Sequence, residues 1–252
     1  MRSRYPSASN FASSFGPGPV TPAIKAIMIA NAAAYLVALI VPAITLGFGL
    51  RPADVVGQFR LWQLVTYMFL HGGMFHILFN MLALWMFGVE LERMWGSRFF
   101  TKYYFVAGVG AALTTLILSF TPFAFASQLY YSLTIGASGA VYGVLLAYAM
   151  YFPNRPIYLY FVFPIPAKYF VMIIGAISLL SAMNEPGGGI AHTTHLGGLI
   201  AGYLYLKGGR VHLFSEIKYR YLKWRINRMR RRFDVYSGGR AGHANDVNRR
   251  VH

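Results

Sequence analysis

The chain has 252 residues, 56% of them hydrophobic and 12% charged, with a net charge of +16 and no cysteine. A soluble domain carries roughly a quarter charged residues, whereas here the apolar residues gather into segments divided by short polar breaks, as in a multi-span helical membrane protein. Disulfides and thiolate metal sites are excluded. The basic charge does not point to nucleic acid, because 13 of the 23 Lys and Arg lie from Lys207 onward, where a cationic block behind an apolar span faces anionic headgroups.

Residues 1–20 are rich in Ser, Pro and Gly and form a flexible tail; the apolar run behind them is too long for a cleavable signal. A first span is expected over residues 23–47, with Pro42 kinking its outer end. Residues 48–70 are too polar to span and too apolar to float free, so they are expected to lie as an amphipathic loop in the interface. Further spans are expected over about 71–91, 99–120, 134–151, 168–183 and 190–206. Between the fourth and fifth, residues 157–166 carry Pro164 and Pro166, which would break a helix, and are expected to form an interfacial loop. The segments are too long and alternate too poorly for barrel strands. Behind the last span, residues 214–233 have the pattern of a basic amphipathic helix on the cytoplasmic surface. With the C-terminal block inside, six spans place both termini in the cytoplasm. Arg51 and Arg60 then fall outside, against the rule.

Ionisable and polar groups within spans are expensive and mark function by default. His76 and Asn80 in the second span, Ser138 in the fourth, and His192 and His195 in the sixth all fall near the outer leaflet. Ser138 is flanked by Gly136 and Gly139, which permit close backbone approach, and stands in the first turn of a helix, where free amides favour developing negative charge. It does not sit in the Gly-x-Ser-x-Gly elbow of soluble hydrolases. Gly139 and Gly143 give its helix a smooth face, and Gly198 and Gly202 do the same behind His195. Two such faces let an imidazole reach a serine hydroxyl. His192 competes for the role of base, but His195 is favoured because the glycine face lies one turn below it. His76 and Asn80 share one helix face and can both donate to an oxyanion. No carboxylate falls at this depth, so a Ser-His dyad is expected, with Tyr142 bracing the imidazole. Metal catalysis is disfavoured by the lack of a ligand set.

The pieces Gly136-Ala137-Ser138-Gly139, His76-x-x-x-Asn80, His195 with Gly198 and Gly202, the run from Trp62 to His71, and Glu92 with Gly96-Ser97 together resemble the rhomboid family of intramembrane serine proteases. The resemblance covers residues 21–208. It implies an all-α membrane fold of six helices with an interfacial first loop, Ser138 as nucleophile and His195 as general base. It further implies oxyanion stabilisation by His76, Asn80 and the Ser138 amide, Tyr142 packed on the imidazole, and transmembrane protein substrates cut near the outer leaflet. No cofactor is implied. The expected domains are the tail 1–20, the six-helix core 21–208 and a basic cytoplasmic tail 209–252; a bacterial inner membrane is the expected location. Gln63 departs from the family, many members having arginine there, which bears on loop stability. Two other readings are a transporter using the polar cluster as an ion path and a non-catalytic binder of membrane segments. The first should show repeats between the halves, and the second should lack the serine or histidine.

Overall fold

The computed structural model describes residues 16–123, 125–159, 163–184, 189–208 and 223–224. Most of the amphipathic helix expected over 214–233 falls outside them, as do the turn after residue 184 and most of both tails. The chain divides into two compact units, Met1–Lys207 and Gly208–His252. All the site residues belong to the first.

The described residues are mostly helical. Helix α1 (Pro22–Ile40) opens on a proline, whose preset φ and missing N–H suit a first turn. It stops ahead of Pro42 instead of kinking through it, and a short α2 (Ile44–Phe48) follows. The start of α1 is capped from a distance. The Glu92 carboxylate accepts the Ala23 and Ile24 amides at 2.9 and 3.0 Å, together with the hydroxyls of Thr21 and Ser97. Glu92 sits near the end of α5 (Met74–Trp95), which is joined to α6 (Ser97–Leu118) by Gly96 alone. Gly96 has φ +78°, an angle only a residue without Cβ takes cheaply. One glycine therefore sets the corner, and one carboxylate ties that corner to α1.

Residues 48–70 fold as α3 (Pro52–Gly57), α4 (Gln63–Thr66) and a 3₁₀ turn over Tyr67–Phe69. Their polar groups turn inward. Gln63 is fully buried; its Oε1 accepts the Arg51 amide at 3.1 Å and its Nε2 donates to the Gly47 carbonyl at 3.3 Å. The Trp62 indole donates to the same carbonyl at 3.0 Å, and the Thr66 hydroxyl donates to Phe48 at 2.6 Å. Asp54 is buried between Arg60 at 3.5 Å and Arg51 at 3.8 Å. The two arginines that break the charge rule are thus answered by a carboxylate. Phe59, Leu61 and Trp62 are exposed, an apolar edge suited to an interface.

After α7 (Ala126–Tyr131) the chain returns to this loop, where Leu50 and Thr134 exchange backbone hydrogen bonds of 2.9 and 2.8 Å. Helix α8 (Ser138–Tyr151) then begins, four residues later than its apolar pattern suggests. The stretch expected as a loop over 157–166 is instead an antiparallel hairpin, β1 (Pro156–Leu159) paired with β2 (Phe163–Pro166). Its prolines fit because each strand has a neighbour on one side only and needs few N–H donors. The expectation of an all-α chain is corrected to that extent. Helices α9 (Ala167–Asn184) and α10 (Gly189–Gly208) complete the bundle.

Among the described residues α1, α5 and α6 are long and apolar enough to cross a membrane, while α8 and Ala167–Ala182 are apolar but shorter. The core between the helices is aromatic. Tyr67, Phe100, Tyr103 and Tyr104 are fully buried, and the hydroxyls of Tyr67 and Tyr103 donate to the carbonyls of Gly108 and Gly143 at 2.7 and 2.6 Å. The rings of Tyr67 and Tyr103 fill apolar space while their hydroxyls find partners.

Candidate active site

Ser138 is the first residue of α8, with Ala137 before it in the capping position. The approach to it is fixed from outside the helix. Thr134 is bridged to Leu50, and the Gly136 amide donates to the Tyr67 carbonyl at 2.9 Å. Gly136 has φ +127°, and a Cβ placed on it would stand 2.7 Å from His76 Nε2 and 3.7 Å from Ser138 Oγ. The backbone here runs against an imidazole, and only glycine allows it. The first-turn amides of α8 have no carbonyl one turn earlier to accept them, so they favour negative charge beside the serine.

His195 comes from α10, and its Nε2 lies 2.8 Å from Ser138 Oγ across 57 residues of sequence. Glycine makes that reach possible. A Cβ on Gly198 would overlap the Gly139 carbonyl, lying 2.7 Å from its carbon, and one on Gly202 would lie 3.3 Å from the Gly143 Cα. The two smooth faces are in backbone contact, as their spacing predicts. One residue before His195, the Thr194 hydroxyl lies 2.8 Å from that of Thr115, and both residues are buried. This pair holds α10 against α6. Tyr142 stacks on the His195 ring with centroids 4.2 Å apart and planes 9° from parallel. The Ser178 hydroxyl donates to the Tyr142 hydroxyl at 3.4 Å.

The second imidazole is oriented differently. His76 Nδ1 accepts the Gly72 amide at 3.4 Å, which leaves the proton on Nε2, the nitrogen that faces Gly136. Asn80, one turn along α5, donates through Nδ2 to the His76 carbonyl at 2.9 Å and keeps a second N–H. His71 is buried and packs edge-on to His76, centroids 4.9 Å apart. Gly136, Ser138 and Gly139 at the start of α8, Tyr142 one turn on, His76 near the start of α5, and His195 and Gly198 in the first half of α10 are thus brought together, with Asn80 one turn along α5 from His76. The sequence reading missed the Gly72 amide, the Tyr67 carbonyl and the Thr115–Thr194 pair. Only the last left a signal, two threonines inside apolar segments. The carboxylates among the described residues are committed elsewhere: Asp54 to arginines, Glu90 to Arg155 and Glu92 to the α1 cap.

The model of the family described as the Rhomboid domain matches residues 58–209. The chain belongs to the rhomboid family. It is 32% identical over 161 residues to Rhomboid protease GluP of Bacillus subtilis, a match covering 62% of this chain and 27% of that protein. It is 35% identical over 143 residues to Rhomboid protein 1, mitochondrial, of Saccharomyces cerevisiae, covering 54% and 38%. A third match, Rhomboid protease AarA of Providencia stuartii, is 29% identical over 157 residues, covering 57% and 54%. The matched region therefore spans at most about half the length of these relatives. In this rhomboid the Gln63 amide does the work of a loop staple, bonding to backbone on both sides.

Proposed function

We propose that this rhomboid is an intramembrane serine endopeptidase working through a Ser138–His195 dyad. The observation that carries the proposal is the 2.8 Å contact between Ser138 Oγ and His195 Nε2. In the reaction the hydroxyl proton passes to Nε2 as Oγ attacks the scissile carbonyl. The carbonyl oxygen, now negative, is held by the Ser138 amide and by His76 Nε2–H, with the free N–H of Asn80 behind them. The imidazolium then gives its proton to the leaving amine. Water, deprotonated by the same nitrogen, hydrolyses the acyl-serine and restores the enzyme. Tyr142, stacked on the ring, keeps the imidazole in plane. No cofactor takes part.

Six helices form the bundle, α1, α5, α6, α8, α9 and α10, with the site near the outer leaflet and both termini in the cytoplasm. The protein sits in a bacterial inner membrane, and the basic tail 209–252 lies on anionic lipid. Substrates are transmembrane segments of other proteins, cut near their outer ends; nucleic acid is not a partner. The test is hydrolysis of a membrane-anchored substrate in proteoliposomes, with fluorophosphonate labelling in parallel. Cleavage and labelling in the wild type, both lost in Ser138→Ala, are expected. Cleavage that persists in Ser138→Ala would remove the serine from the mechanism.

A further inference from the structure

Helix α10 presents two adjacent stripes. His195, Gly198 and Gly202 face α8, as described above. Thr194, Gly197, Ala201 and Tyr205 face α6. A Cβ on Gly197 would lie 2.7 Å from that of Thr114 and 3.0 Å from the Ala111 Cα, and one on Gly110 would overlap the Ala201 Cβ. Tyr205 packs on Phe99 and Tyr103 with ring centroids 5.8 and 6.0 Å apart. Small residues bring two backbones close, but a smooth seam fixes the separation of two helices better than their rotation. The imidazole of His195 is sensitive to rotation. Its reactive nitrogen stands about 5–6 Å from the helix axis, so turning α10 by about 10° moves it by about 1 Å. Tyr142 stacks on the ring, and His192 meets it edge-on with centroids 5.8 Å apart. His192 rides on the same helix and cannot fix how that helix is turned.

We propose that Thr194 is a positioning residue of the dyad: its hydroxyl, bonded to that of Thr115, locks the rotation of α10 that turns His195 toward Ser138. The two hydroxyl oxygens are 2.8 Å apart and both residues are buried. A hydrogen bond is directional where an apolar seam is not. The β-branched side chain of Thr194 is restricted at χ1 and serves two neighbours at once. While its hydroxyl meets α6, its methyl lies against Gly139 of α8, where a Cβ would come within 3.2 Å of it. Gly139 follows Ser138, and His195 follows Thr194. One threonine therefore touches both partner helices immediately beside the two dyad residues. Thr115 is itself held, because its hydroxyl also reaches the Ala111 carbonyl at 3.1 Å. A Cβ on Gly139 would stand 2.8 Å from the Ala111 side chain, so the serine end of α8 is seated between Thr194 and Ala111.

The role rests on the dyad reading, and the experiment separates the two. Full-length protein in proteoliposomes is compared as wild type, Thr115→Val, Thr194→Val, the double valine variant and Thr115→Ser, with Ser138→Ala as the blank. Valine keeps the branched shape and removes the hydroxyl, while serine keeps the hydroxyl. Each single valine variant should lower kcat and the fluorophosphonate labelling rate by about 10- to 100-fold, as for a dyad misplaced by up to about 1 Å, with KM unchanged. Thr115→Ser should restore most of both. The double variant should be no slower than either single one, because the second change removes a bond already lost. The end point of labelling counts folded enzyme, so a loss of protein is not read as a loss of rate. If Thr115→Val unfolds the chain, Thr115→Ala repeats the comparison against Thr115→Ser. Labelling at the wild-type rate in either valine variant, equal impairment in Thr115→Ser and Thr115→Val, or losses that multiply in the double variant would overturn the role of Thr194 and leave the dyad standing. A wild type that never labels would overturn the dyad and this role with it.

Discussion

Substituting Gly198 by alanine tests the close approach of α8 and α10 directly. The added Cβ would lie 2.7 Å from the Gly139 carbonyl carbon and closer still to its oxygen. Carbon atoms pack best at about 3.5–4.0 Å, so the helices must separate by about 1 Å. Gly139 follows Ser138 directly, and the 2.8 Å link to His195 would stretch past hydrogen-bonding range. Overpacking of this kind costs about 1–3 kcal/mol in stability, while a 1 Å misplacement of reacting groups costs about 100-fold in rate. Gly198→Ala should therefore remain folded but label with fluorophosphonate about 100-fold more slowly. Gly57→Ala, whose Cβ meets nothing within 4 Å, serves as the control and should match the wild type. Should Gly198→Ala label within threefold of the wild type, backbone contact is not what holds the dyad together.

Substitutions at three further positions probe other contacts of the site and the fold. Gly136→Ala forces a Cβ against His76 at a φ of +127°; it should cost about 1–3 kcal/mol in thermal unfolding together with a loss of labelling of more than about 100-fold. Glu92→Ala removes four hydrogen bonds that join α1, α5 and α6 and should lower stability by about 3 kcal/mol or more, because two amides lose a charged acceptor; a change under 1 kcal/mol in detergent unfolding would refute that role. Tyr142→Phe keeps the stack on His195 and should stay within threefold of wild-type kcat, whereas Tyr142→Ala should lose up to about tenfold; equal rates in the two would mean the ring does not brace the imidazole.

The site was legible in the sequence because its residues violate their surroundings. Histidines and a serine inside apolar segments carry a cost, and glycines at a spacing of four announce where two helices touch. What lay hidden came from contacts between distant segments. The late start of α8 follows from Thr134 pairing with Leu50 and from Gly136 taking a positive φ, neither of which hydropathy registers. The end of α1 at Ile40 was readable in principle, since Pro42 stood in plain view, but a kink and a stop look alike without the following α2. The hairpin was missed because two prolines rule out a helix without ruling in a strand pair. Glu92 was read at the end of its helix, near where α5 stops, yet nothing local shows that its partners lie about 70 residues upstream.

The sequence separation of 57 between Ser138 and His195 also has a meaning in time. A ribosome releases the serine, its glycine loop and Leu50, which pairs with that loop, well before α10 exists. Until that helix is made, Ser138 is an alcohol without the His195 imidazole beside it. Under the proposed dyad, reactivity begins only once α10 has been made, so a chain that stops short of it is expected to be unreactive.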